Sequence, residues 1–119
     1  MKTVFLVDDS TSIRNIVKGS LVREYRVIEA EHGQDALDQI AAGTSADLFL
    51  LDVNMPVMDG LTLLGKIKAQ PQFRSTPVLM LTTETKPERR QEAKAMGASG
   101  WILKPCDPEQ LLAALKTFL

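Results

Sequence analysis

Short apolar runs and stretches of helical periodicity alternate five times along this chain, which points to βα units wound about a parallel sheet. The runs are Thr3–Val7, Arg26–Ala30, Leu48–Leu51, Val78–Thr82 and 101–103. In the third, four apolar residues lead straight into Asp52, and Pro56 soon ends regular pairing. A continuous apolar run bounded by turn residues reads as a strand buried on both faces. Asp52 therefore falls at a strand's carboxyl end, where open α/β sheets place ligand sites. An aspartate in such a place is more often a loop cap, and the rest of the chain decides between the two. The second run is shorter and more polar, as an edge strand would be.

The intervening segments carry helix signals. Ser10 is placed to cap a helix whose inward positions are Ile13, Ile16, Val17 and Leu21. Ala36, Leu37, Ile40 and Ala41 mark a second helix, stopped by Gly43, and His32 before it reads as a surface loop residue rather than a base or ligand. Asp59-Gly60 opens a third with Leu63, Leu64 and Ile67 on one face, and Pro71 and Pro77 bracket the loop beyond it. Thr85 to Glu88 has the T-x-x-E capping pattern, leading into a fourth helix over 89–96 that ends at Gly97. Its buried face offers only Ala93 and Met96, so it should be the least firmly docked. Asp107, Pro108 and Gln110 supply an N-cap, a first-turn proline and an N3 partner for a last helix with Leu111, Leu112, Leu115 and Phe118 inward.

At 119 residues the chain reads as one domain, 1–119, large enough to bury a core without metal or disulfide staples. A net charge of −1 gives no reason to expect nucleic acid as a partner. The single Cys106 excludes an internal disulfide framework; it reads as a small buried residue in a reducing cytosol rather than a redox sensor. The apolar start at Val4 is interrupted by Asp8 and Asp9, too soon for a signal peptide, and no later run is long enough to span a membrane. A soluble, cytoplasmic monomer without an output domain is the expectation.

In a parallel sheet all carboxyl ends lie on one edge. Here that edge collects Asp8, Asp9, Asp52, Thr82 and Lys104; only the second strand adds no obvious polar group. Three clustered carboxylates need a counter-ion, and oxygen-only ligands suit a hard cation, Mg²⁺ in particular. Such a cation and Lys104 would attract a phosphoryl group, leaving Asp52 to attack phosphorus and form an acyl phosphate, with Thr82 hydrogen-bonding one of its oxygens.

These residues resemble, over essentially the whole chain, the receiver domains of two-component response regulators. Asp8-Asp9, Asp52, Thr82 and Lys104-Pro105 match the family's acidic pair, phosphoacceptor, switch hydroxyl and lysine, and Asp52-Val53-Asn54-Met55-Pro56 with Asp59-Gly60 is a specific signature. Asn54, Glu84 and the stretch from Ala95 to Pro105 are most similar to the chemotaxis regulators. The resemblance implies a doubly wound, flavodoxin-like (βα)5 fold with strand order 2-1-3-4-5. It implies Mg²⁺ held by Asp8, Asp9, Asp52 and the Asn54 backbone carbonyl. Thr82, Thr83, Lys104 and Trp101 would form the phosphoryl-binding and switch set, Asn54 and Glu84 would tune phosphoryl lifetime, and the Lys104-Pro105 peptide would be cis.

Trp101 stands where tyrosine or phenylalanine is usual, and Cys106 where phenylalanine often follows the Lys-Pro pair. The implied partners are a chemotaxis-type histidine kinase and a flagellar motor switch protein, the latter reached through the fourth helix, fifth strand and fifth helix. Lys86, Arg90 and Lys94, with Arg89 beside them, belong either to that face or to a plain solvated one interleaved with Glu88 and Glu92.

Three rival readings stand beside this one, and the last two fit the residues less well. A phosphate sink or relay intermediate would use the same site without motor binding. An aspartyl-phosphate phosphatase of the haloacid dehalogenase type wants a second aspartate two residues after the nucleophile, where this chain has Asn54. A flavodoxin-like nucleotide or flavin carrier wants a phosphate-cradling loop after the first strand, where the chain has Asp8-Asp9-Ser10.

Overall fold

The computed structural model describes residues 1–119. Five strands, β1 (Thr3–Val7), β2 (Arg26–Ala30), β3 (Leu48–Leu51), β4 (Val78–Thr82) and β5 (Gly100–Leu103), alternate with five helices: α1 (Thr11–Leu21), α2 (Gly33–Ala41), α3 (Gly60–Lys68), α4 (Pro87–Ala95) and α5 (Pro108–Phe118). All pairings are parallel, in the order β2-β1-β3-β4-β5. This is the flavodoxin-like fold, with the more polar β2 at an edge. No helix is long and apolar enough to cross a membrane.

The two-residue period of the central strands divides their side chains between two cores. Phe5, Val7, Phe49, Leu51, Val78 and Met80 face α2, α3 and α4, while Val4, Leu6, Leu48, Leu50, Leu79 and Leu81 face α1 and α5. With both faces covered, these strands need to be apolar throughout, which is why they read as continuous runs. The ladder then carries on one step past the strands. Asp8 N–H donates to the Ala30 carbonyl, Asp52 N–H to that of Val7 and Lys104 N–H to that of Thr82. These bonds fix three charged residues at the carboxyl edge.

Helix boundaries follow their signals in most places. Ser10 Oγ accepts from Ile13 N–H, and Asp59 Oδ1 from Thr62 N–H. Gly43 and Gly97, at φ 104° and 106°, end α2 and α4 in the left-handed conformation that glycine alone adopts freely. His32, exposed as expected, also caps α2, its Nδ1 accepting from Asp35 N–H.

Several expectations need correction. The Thr85–Glu88 box does not form. Pro87, whose fixed φ suits the first helical position, starts α4 one residue after Lys86, and no side chain caps it. Ile16 points outward at 65 % exposure, because the 100° step of α1 turns Arg14, Val17 and Leu21 inward instead. Phe118, in the last turn of α5, is likewise exposed, and Leu112 is only half-buried. Asp107 caps α5 through Glu109 N–H rather than in a reciprocal pair with Gln110. The loop after α3 contains a 3₁₀ turn, Pro71–Phe73. It buries Phe73 edge-on against Phe49, their ring centres 5.0 Å apart, while Lys68 Nζ gathers the carbonyls of Phe73 and Thr76.

Candidate functional site

At the carboxyl edge, Asp8 and Asp52 are 1 % and 7 % exposed, Thr82 is fully buried and Asp9 is exposed. One carboxylate oxygen from each of Asp8, Asp9 and Asp52 lies within 4.8 Å of the other two. Lys104, arriving from the end of β5 on a cis Lys104-Pro105 peptide, bridges two of them: its Nζ is 2.5 Å from Asp8 Oδ2 and 3.4 Å from Asp52 Oδ2. The other oxygen of each carboxylate takes a backbone N–H, from Ser10 to Asp8 at 2.9 Å and from Asn54 to Asp52 at 3.4 Å.

Burial pushes the Asp52 carboxyl above the ordinary range, and the negative charge of Asp8 adds to this against the opposing pull of Lys104 and Thr82. A further cation would relieve this crowding. The donor set is all oxygen, with no histidine or cysteine among the three, so it suits a hard ion such as Mg²⁺ rather than a transition metal.

The backbone around Asp52 is closely packed. Gly60 N–H donates to the Val53 carbonyl at 2.8 Å, and a Cβ on Gly60 would sit 1.9 Å from the Asp52 carbonyl oxygen. Only glycine fits there. Val57, in the same loop, holds φ at 70° with its side chain fully in solvent, an outlying conformation for a β-branched residue.

On the far side of Asp52, Thr82 Oγ1 accepts from Glu84 N–H at 3.1 Å, and Glu84 in turn accepts from Asn54 Nδ2 at 3.3 Å. This links the loops after β3 and β4 across the mouth of the site. Thr83 is exposed beside them. Trp101 pairs in register with Met80, is half-buried, and lines a cavity of about 250 Å³ with Arg90, Lys94, Ala98 and Ser99. Cys106 is half-buried against the α1–α5 core, and its thiol is pushed up by burial and by neighbouring Asp107.

Three contacts near the site escaped the sequence reading. Arg89, which the sequence leaves between a partner-binding face and a solvated one, reaches Asp59 Oδ2 at 2.9 Å and so ties α4 to the start of α3. Hydrogen bonds from Thr62 N–H and Arg89 outweigh burial and hold the Asp59 carboxyl below its ordinary range. Arg14 turns inward from α1 and donates from Nη1 to the Asp8 carbonyl at 2.5 Å. Glu29 of β2 then pairs with Arg14 and Lys18, so the second strand does reach the edge, through a partner. An arginine one turn past an acidic pair was the available signal for Arg14; nothing local marks Arg89 out from its neighbours.

A doubly wound sheet carrying three carboxylates, a buried hydroxyl and a bridging lysine at its carboxyl edge has the architecture of a receiver domain. The family model of the response regulator receiver domain matches residues 4–116, and the chain belongs to that family. Members are signalling switches that take Mg²⁺ at an aspartate cluster. The chain is 36 % identical to the chemotaxis protein CheY1 of Helicobacter pylori strain J99 over 118 residues, covering 98 % of this chain and 95 % of CheY1. It is 35 % identical to the CheY homologue of Campylobacter jejuni strain 81-176, covering 98 % of this chain and 91 % of the other. The solved structure of chemotaxis protein CheY4 of Vibrio cholerae, crystallised at low pH, superposes with a TM-score of 0.93. It is 47 % identical and covers 100 % of this chain and 99 % of that one.

Proposed function

We propose that this chain is a chemotaxis response regulator switched by phosphorylation of Asp52. The observation that carries the reading is the meeting of the Asp8, Asp9 and Asp52 carboxylates within 4.8 Å under the Lys104 ammonium. A carboxylate oxygen of Asp52 attacks the phosphorus of a phosphohistidine on a chemotaxis-type kinase. The P–N bond breaks, its electron pair leaves with the imidazole, and an acyl phosphate remains on Asp52. Asp8, Asp9, Asp52 and the Asn54 carbonyl would hold Mg²⁺, which when bound would supply charge neutralisation at the site.

The chain's own groups do the rest. Lys104 exchanges its contact with Asp52 for one with a phosphoryl oxygen. The Thr82 hydroxyl, with Thr83 beside it, turns toward another and gives up its bond from Glu84. The half-buried Trp101 moves inward as Thr82 vacates its place, and the α4–β5–α5 face changes shape. Both conformations pre-exist, and the phosphoryl group shifts the balance by contacting one of them better. Asn54 and Glu84 screen the acyl phosphate from water and so set its lifetime.

The expected target is a flagellar motor switch protein. Label placed on Asp52 by the kinase should decay with its own lifetime, and the phosphorylated form should bind an isolated motor-switch peptide at least about tenfold more tightly than the resting form, a coupling of the usual allosteric size. Equal affinity of both forms would overturn motor binding and leave a phosphate sink. Many turnovers of an organic phosphate with no trapped phosphoprotein would overturn the switch itself.

A further inference from the structure

Arg14 sits in the first turns of α1, is 9 % exposed, and spends its guanidinium on the site rather than on solvent. Nη1 donates to the Asp8 carbonyl at 2.5 Å, and Nη2 to Thr11 Oγ1 at 3.3 Å; Nε faces Glu29 Oε1 at 3.7 Å. Glu29 is itself steadied by Lys18 Nζ at 3.1 Å. A buried guanidinium needs such partners, and here one of them is the peptide joining two of the three clustered carboxylates.

Asp8 is held at every polar atom. Its N–H donates to the Ala30 carbonyl, its Oδ1 accepts from Ser10 and its Oδ2 from Lys104, and its carbonyl accepts from Arg14. Asp9 is exposed, at the turn between β1 and α1. Its direction is therefore inherited from the plane of the Asp8–Asp9 peptide, which Arg14 anchors from behind.

We infer that Arg14 is a positioning residue for the cation site: by fixing the Asp8–Asp9 peptide it aims the Asp9 carboxylate at the ion that Asp8 and Asp52 share. This rests on the Mg²⁺ reading of the carboxylate cluster. The sign of the effect makes the inference sharp. A guanidinium near a cation site repels the cation, so simple removal of the charge should tighten Mg²⁺ binding. Loss of positioning should weaken it, and outer partners of metal ligands typically matter by 10–100-fold.

The test is Mg²⁺ titration by calorimetry on the whole chain, with folding checked by circular dichroism. Wild type should bind Mg²⁺, and Asp9→Asn should weaken binding; failure of either removes the site reading itself. With both in hand, Arg14→Met should raise the Mg²⁺ dissociation constant about tenfold. Arg14→Lys, which keeps the charge and a single donor nitrogen, should fall between Arg14→Met and wild type. If Arg14→Met does not fold, Arg14→Gln, too short to reach the carbonyl, should show the same loss. A folded Met or Gln variant that binds Mg²⁺ as tightly as wild type, or more tightly, overturns the inference. So does a lysine variant weaker than the methionine one.

Discussion

Replacing Gly60 with alanine puts a methyl group where the Asp52 carbonyl now lies. The new Cβ would stand 1.9 Å from that oxygen and 2.9 Å from the Val53 Cα, against the 3.4 Å at which ordinary contact begins. The two backbones must part by about 1.5 Å, and neither can yield alone. Asp52 is tied to Val7 by the sheet ladder, and Gly60 to Val53 by its own N–H. Overpacking of this kind costs roughly 1–3 kcal/mol, and a displacement of about 1 Å at a reacting group lowers rate by about 10²-fold.

The control is Gly19→Ala in α1, where a Cβ meets nothing within 4 Å. There the same change should stabilise by roughly 0.5–1 kcal/mol through helix propensity alone. Urea unfolding gives the two stabilities, and labelling from a small acyl-phosphate donor gives the rates. Opposite signs of stability change are expected, with slow labelling confined to Gly60→Ala. Equal shifts in both variants, or labelling at the wild-type rate in Gly60→Ala, would refute the reasoning.

Two further outcomes follow from the electrostatics. Because burial and Asp8 raise the Asp52 pKa in the folded chain, the folded state holds this proton more tightly than the unfolded one. Ionised Asp52 therefore costs stability above its folded pKa and nothing below the ordinary value of 3.8. Asp52→Asn should then melt above wild type at neutral pH, with the gap closing as pH falls toward 3.8; a variant less stable at neutral pH contradicts this. For Asp59 the sign reverses. Its depressed pKa contributes stability above 3.8 that is lost as pH falls through the folded value. Arg89→Gln should remove part of that acid-side loss and cost less than about 1 kcal/mol at neutral pH, since the pair is partly exposed; urea midpoints measured across the acid range decide it.

What was legible in the sequence and what was not divides along physical lines. Strands buried on both faces carry their signal in consecutive residues, so Leu48–Leu51 and Val78–Thr82 were readable with their ends, and the ends located Asp52 and Thr82. The site residues were visible because topology alone brings strand ends together. Contacts made by long side chains were not. Arg14 and Arg89 lie on helices whose patterns allow an exposed charge, and only the packed structure shows one donating to Asp8 and the other to Asp59. Ile16 failed for a related reason: a stripe of apolar residues on α1 was wider than the face the sheet can cover. At α4 two start signals competed, and the backbone constraint of Pro87 prevailed over the side-chain pattern of Thr85 and Glu88.

The central claim is that a carboxylate oxygen of Asp52 receives the phosphoryl group. Incubation of wild type and Asp52→Asn with a small phosphoryl donor, with and without Mg²⁺, followed by peptide mapping of the trapped label, tests this directly. One phosphoryl group on Asp52, dependent on Mg²⁺ and absent from the variant, is the predicted result. Label on another residue, or equal labelling of Asp52→Asn, would contradict it.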